Sequence, residues 1–97
     1  MRPFLESVQY HREAGMRLRK IIDAAAIPQV LAAQYMGVTK SNLGNWLRGE
    51  APIPTYALYR FCLMTGATAD WVLLGKPDGL PLRLSQHLAL HEPENDC

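Results

Sequence analysis

The stretch Met36-Gly37-Val38-Thr39-Lys40-Ser41-Asn42-Leu43-Gly44-Asn45-Trp46-Leu47-Arg48-Gly49 constrains this chain more than any other. Gly37 is placed to close one helix, because glycine adopts the left-handed conformation that ends helices. Thr39 can cap a second helix through its hydroxyl, and Gly49 can close that one. At roughly 100° per residue the intervening positions divide into two faces. Leu43, Trp46 and Leu47 fall together and predict burial. Ser41, Gly44, Asn45 and Arg48 fall opposite, with Lys40 at the leading turn and nothing acidic or bulky among them. A short helix with an apolar back and a small, polar, cationic front suits the major groove of DNA. An ordinary surface helix can carry the same division, so the flanking chain has to decide.

Ninety-seven residues with 48% hydrophobic content predict one domain with a modest core and exclude a disordered chain. No apolar run approaches the ~20 residues of a membrane span. Met1-Arg2-Pro3-Phe4-Leu5-Glu6-Ser7 lacks the continuous apolar core of a secretory signal. Cys62, inside an apolar run, and Cys97, at the last position, make no disulfide framework; the expectation is a reduced, cytoplasmic setting. The net charge of +1 conceals a polarity. Residues 1–48 carry seven Lys and Arg against three acids, whereas residues 49–97 carry three against six. The positive half holds the candidate groove helix, and phosphate neutralisation depends on local charge.

Taken in order, the first helix is firm from about His11. Leu18, Ile21, Ile22 and Ala25 line its apolar face, and Arg17, Arg19 and Lys20 lie outside it. Phe4, Leu5 and Val8 form a partial stripe that could extend this helix backwards. Pro28 is expected to end it and to occupy the first turn of a second helix reaching Met36. Ala32, Ala33 and Met36 form the buried face there. Leu31 and Tyr35 form an apolar flank, expected to pack beneath a terminal extension, with a protein-contact surface as the sharper alternative. After the stiff loop at 50–54, a fourth helix turns Leu58, Phe61, Cys62 and Met64 inward and stops at Gly66. Thr68 then caps a short fifth helix over 69–74, with Asp70 in its first turn and Gly75 as its stop. Trp71 and Leu74 are expected to seal the core. Five short helices with tight connections predict a compact all-α domain. In the tail, Leu80, Leu82, Leu84, Leu88 and Leu90 alternate as in a strand, while Leu84, Leu88 and His91 equally fit a helix face. So many leucines predict packing on the domain or on a second copy.

These residues resemble the Cro/phage-repressor-like (XRE-type) helix-turn-helix family. The elements that carry the resemblance are Gln29 opening the second helix, Ala33-x-x-Met36-Gly37-Val38-Thr39 through the turn, and Trp46-x-x-Gly49. The run Gly66-Ala67-Thr68-Ala69-Asp70-Trp71-Val72-Leu73-Leu74-Gly75 is similar to that family's fifth-helix signature. The likeness spans roughly residues 12–75 in order and spacing. It implies a five-helix, lambda-repressor-like domain over 12–75, an N-terminal extension of the first helix at 1–11, and a tail at 76–97 available for dimerisation or a partner. It further implies a small bacterial or phage transcription regulator that binds double-stranded operator DNA as a homodimer on a palindrome, most simply as a repressor, with no cofactor. By position, Gln29 would sit at a helix N-terminus beside a phosphate. Lys40, Ser41 and Asn45 would reach base edges, Thr39 and Asn42 would touch backbone, and Arg48 would hold a phosphate at the far end. Lysine can donate to guanine O6 and N7, and asparagine can pair twice with adenine.

Three departures from the family stand out. Gly44 lies mid-helix on the groove face, at a cost of about 1 kcal/mol against alanine. Leu47 stands where glutamate is frequent and Ile22 where its arginine partner is frequent, so an apolar contact is expected to replace that ion pair. The loop at 50–54 is acidic and apolar where relatives often supply basic contacts.

Other function classes fare less well. No Ser/His/Asp order, phosphate-cradling glycine loop or paired carboxylates suggest an enzyme. His87-x-x-x-His91 with Glu92 and Cys97 would align two imidazoles on a helix, but a polar tail with scattered histidines explains them as readily, and no metal is expected. The serious competitor is an antitoxin or other protein-interaction module of the same fold, docking a partner protein on the leucine-rich tail or on Leu31 and Tyr35 while repressing its own promoter.

Overall fold

A computed structural model describes residues 5–77, 79–82, 84, 86 and 88. Five helices follow one another: α1 (Ser7–Ala24), α2 (Gln29–Met36), α3 (Lys40–Leu47), α4 (Thr55–Thr65) and α5 (Ala69–Leu74). Among the described residues there is no strand, so the all-α architecture is as the sequence predicts. Local chemistry sets most boundaries. Gly37, Gly66 and Gly75 take left-handed φ values of 78°, 81° and 77° where α2, α4 and α5 stop. The hydroxyls of Thr39 and Thr68 accept from the backbone N–H groups of Asn42 and Trp71 at 3.0 and 3.1 Å, capping α3 and α5.

Helix α1 begins at Ser7, earlier than His11, and ends at Ala24, well before Pro28. The chain turns through Ala26, a non-glycine residue at φ 56°, and Pro28 serves as the N-cap of α2 rather than its first residue. Leu5 and Val8, on the backward extension, stay exposed.

One buried cluster joins all five helices: Leu18, Ile21 and Ile22 of α1, Ala32, Ala33 and Met36 of α2, Leu43, Trp46 and Leu47 of α3, Ala57, Leu58 and Phe61 of α4, and Trp71 and Val72 of α5. Ile22 and Leu47 are both buried in this cluster. Val72 fills the place expected for Leu74, which is 62% exposed. In α4, Cys62 and Met64 are only half-buried against the cluster, and burial pushes the Cys62 thiol above its ordinary pKa. Thr65 is buried instead, its hydroxyl donating to Phe61 O and accepting from Ala67 N–H. Leu31 and Tyr35 are exposed, and no described residue of either extension covers them.

Beyond α5, Leu82, Leu84, Gln86 and Leu88 have helical backbone, so the described leucines of the tail follow the helical rather than the strand-like spacing. Leu84 and Leu88, four residues apart on one helix face, join the buried cluster, while Leu82 points to solvent. The expectations attached to His87, Leu90, His91, Glu92 and Cys97 lie outside the described residues.

Arg17, outside the apolar stripe of α1, is held by α5. Its Nε donates to Val72 O at 2.8 Å and its Nη2 to Leu73 O at 3.1 Å, with Glu13 carboxylate 3.6 Å from Nη1. The carbonyls at the end of a helix lack intrahelical partners and carry partial negative charge, so a guanidinium fork suits them. Arg17 thereby ties α1 to α5. Arg17→Ala should cost about 1.5–3 kcal/mol, the range for hydrogen bonds to a charged group. Arg17→Lys should recover only part, since a point ammonium does not reproduce the fork. Chemical unfolding of the three proteins checks this; equal midpoints would mean the clamp contributes nothing.

Candidate nucleic-acid interface

The candidate surface is built on α3, and three features place it. The Thr39 cap fixes where the helix starts. Its back is anchored by Leu43, Trp46 and Leu47, at 0%, 6% and 7% exposure. Its end is held by close approach to α1: a Cβ built on Gly15 would lie 2.1 Å from Trp46 O, and one on Gly49 would lie 2.7 Å from Arg12 Cα. Gly49 also has φ +75°, so both glycines are obligatory for the crossing as it stands. From the sequence alone Gly49 has only its closing role, and Gly15 has none. The available signal was a glycine inside a strong helical pattern, beside Ala14 and one turn before Leu18.

The predicted front of α3 faces out. Lys40, Ser41, Asn42 and Arg48 are exposed, while Gly44 and Asn45 are half-exposed. Neither the remaining helices nor the described tail residues cover this face. Thr39 is exposed at the leading end. Its oxygen accepts from Asn42 N–H, and a hydroxyl that accepts keeps its own proton to donate, for instance to a phosphate oxygen. Gln29 is half-exposed as the first residue of α2, where Pro28 supplies no side-chain cap. The backbone N–H groups of that first turn therefore have no capping side chain to accept from them.

At the far end of α3 the side chains engage one another. Arg48 Nη2 donates to Asn45 Oδ1 at 2.7 Å, and Arg48 Nε donates to Glu50 Oε2 at 3.2 Å. The guanidinium lies against Gly44, where a Cβ would be 3.1 Å from Nη1. Two residues expected to act separately, Asn45 and Arg48, are thus joined, and Glu50 enters the site unpredicted. The cluster is exposed, with Arg48 and Glu50 side chains 55% and 59% accessible, so its ion pair is individually weak.

A second surface lies on α2 and α4. Leu31, Tyr35, Tyr56, Tyr59 and Leu63 are all exposed, and the Arg60 guanidinium sits 5.4 Å from the Tyr35 ring centroid and 5.8 Å from that of Tyr56. No group of three or more potential metal ligands occurs among the described residues, and no helix there is long and apolar enough to cross a membrane. Comparison with known proteins finds no matching family model, no matching characterised sequence and no matching solved structure.

Proposed function

We propose that this chain is a sequence-specific DNA-binding transcription regulator, a repressor that occupies a palindromic operator as a homodimer with α3 in the major groove. One observation carries it. The capped helix α3 is apolar and buried behind, and presents Lys40, Ser41, Asn42, Asn45 and Arg48 on a face that no described residue covers. The spread of chemistry supports the same role. Lys40 and Asn45 have the donors and acceptors to read base edges, whereas Thr39, Gln29 and the N-terminus of α2 have those that hold phosphates.

Selection from a random duplex pool tests the proposal, followed by titration of the recovered site. Wild-type protein should enrich one sequence family with two related half-sites. Asn45→Ala should lower discrimination against single-base changes by about 1–3 kcal/mol at one base pair per half-site. An unchanged preference profile for Asn45→Ala would show that α3 is not seated as described.

A second function has its own support. The exposed Leu31, Tyr35, Tyr56, Tyr59 and Leu63 give α2 and α4 an apolar and aromatic surface of the kind protein partners use. An antitoxin-like module that binds a partner there and represses its own promoter would use both faces. Tyr35→Ala combined with Tyr59→Ala should weaken such a complex and leave the selected DNA sequence unchanged, which a pull-down with the product of the neighbouring gene would check.

A further inference from the structure

The Asn45 carboxamide is asymmetric, and base recognition depends on which way round it sits. Its oxygen accepts and its nitrogen donates, and rotation about the last side-chain torsion of asparagine is broad and roughly two-fold. In the major groove both purines offer N7 as an acceptor. They differ beside it, adenine presenting the N6 donor and guanine the O6 acceptor. An amide free to turn over can offer its oxygen to adenine N6 or its nitrogen to guanine O6. One held in a single orientation discriminates between them.

Here one orientation is held, and the chemistry of the partner says which. A guanidinium has donors only, so the 2.7 Å contact from Arg48 Nη2 must fall on the oxygen of Asn45. Turning the amide over would place its NH2 against Arg48 and lose a charge-assisted bond. Arg48 is itself restrained, because its Nε donates to Glu50. Gly44 leaves room for it: a Cβ there would lie 3.1 Å from Nη1 and 3.8 Å from Cζ, a tight contact for the guanidinium in this position.

We propose that Gly44, Arg48 and Glu50 fix the orientation of the Asn45 carboxamide, so that discrimination between adenine and guanine at the base pair facing Asn45 depends on Arg48 and Glu50. Arg48 is then a positioning residue for base reading, beyond any phosphate it holds. This rests on the DNA-binding function proposed above.

The test uses the full chain, with Arg48→Lys and Glu50→Ala. Lysine keeps the positive charge for a phosphate but has no fork to bridge Asn45 and Glu50. Asn45→Ala first locates the base pair concerned on the selected duplex. At that pair, Arg48→Lys and Glu50→Ala should each reduce adenine-against-guanine discrimination by about five-fold, the scale of one solvent-exposed charge-assisted hydrogen bond, with other positions unchanged. Glu50→Ala should also bind every duplex more tightly, since a carboxylate near the phosphates is gone. Equal weakening on all duplexes by Arg48→Lys, with the purine preference kept, would reduce Arg48 to a phosphate contact and overturn the proposal.

A second measurement needs no DNA. The side-chain amide resonances of Asn45 in the free protein should move in both variants, and unmoved resonances would overturn the proposal at its origin. If they move while wild-type protein enriches no sequence, the DNA-binding function is what fails, and the role in base discrimination falls with it.

Discussion

Gly15→Ala should destabilise the fold by about 3 kcal/mol or more, at or beyond the upper end of ordinary overpacking. Two effects oppose each other here, and their sizes decide the sign. Alanine in a helix interior is better than glycine by roughly 0.5–1 kcal/mol, so local preference alone predicts a gain. Against this, the new methyl would sit 2.1 Å from Trp46 O, 3.0 Å from Leu47 O and 3.2 Å from Leu47 C. These are backbone atoms and cannot rotate away. Relief requires α1 and α3 to separate on the order of an ångström, which loosens the close-packed interior that Leu18, Ile22, Leu43 and Leu47 share. The shift also moves the end of the helix that carries Asn45 and Arg48, so under the proposed function DNA affinity should fall along with the unfolding midpoint. A variant more stable than wild type would show that the crossing is wider than described.

The second large effect concerns the tail. Leu84→Ala combined with Leu88→Ala should cost about 4–10 kcal/mol, from the roughly 2–5 kcal/mol of each buried leucine truncation. Small domains have only about 5–15 kcal/mol in total, so the double variant should be largely unfolded or close to it. Leu84 and Leu88 are 1% and 6% exposed within the common cluster, against 72% for Leu82. Leu82→Ala is therefore the control, with an expected change within about 0.5 kcal/mol. The two sites share neighbours, so their costs need not add, and the single variants should accompany the double. An unchanged unfolding midpoint together with loss of self-association would mean that these leucines serve a second copy rather than this core.

That result also bears on how far the sequence could be read. The turn and caps were legible because each is settled within a few residues, as by Gly37 and Thr39 around α3 or Thr68 and Gly75 around α5. The two faces of α3 were legible because Leu43, Trp46 and Leu47 repeat at helical spacing. What escaped depends on distance along the chain. The carbonyls that Arg17 reaches are 55 and 56 residues away, and Gly15 meets a backbone two helices later. Helix α5, with six residues, is under two turns long, too short for periodicity to rank Val72 above Leu74. In the tail the leucines satisfy both periods at once, and only packing selects helix. The join between Asn45, Arg48 and Glu50 was hidden for a different reason. Each residue has a plausible solitary role, and nothing in the spacing says that Arg48 folds back over Gly44.

The inward turn of Arg17 has an electrostatic consequence. A tally of basic residues treats every cation as available to a polyanion, yet Arg17 is committed to the carbonyls of α5. Fewer counterions would be released on binding than the composition implies. Under the proposed function, the logarithmic dependence of affinity on ionic strength should be shallower by about 0.9 for the phosphate that Arg17 leaves uncontacted. Operator occupancy would then change less with the cell's osmotic state and depend more on the fit of α3 to its bases.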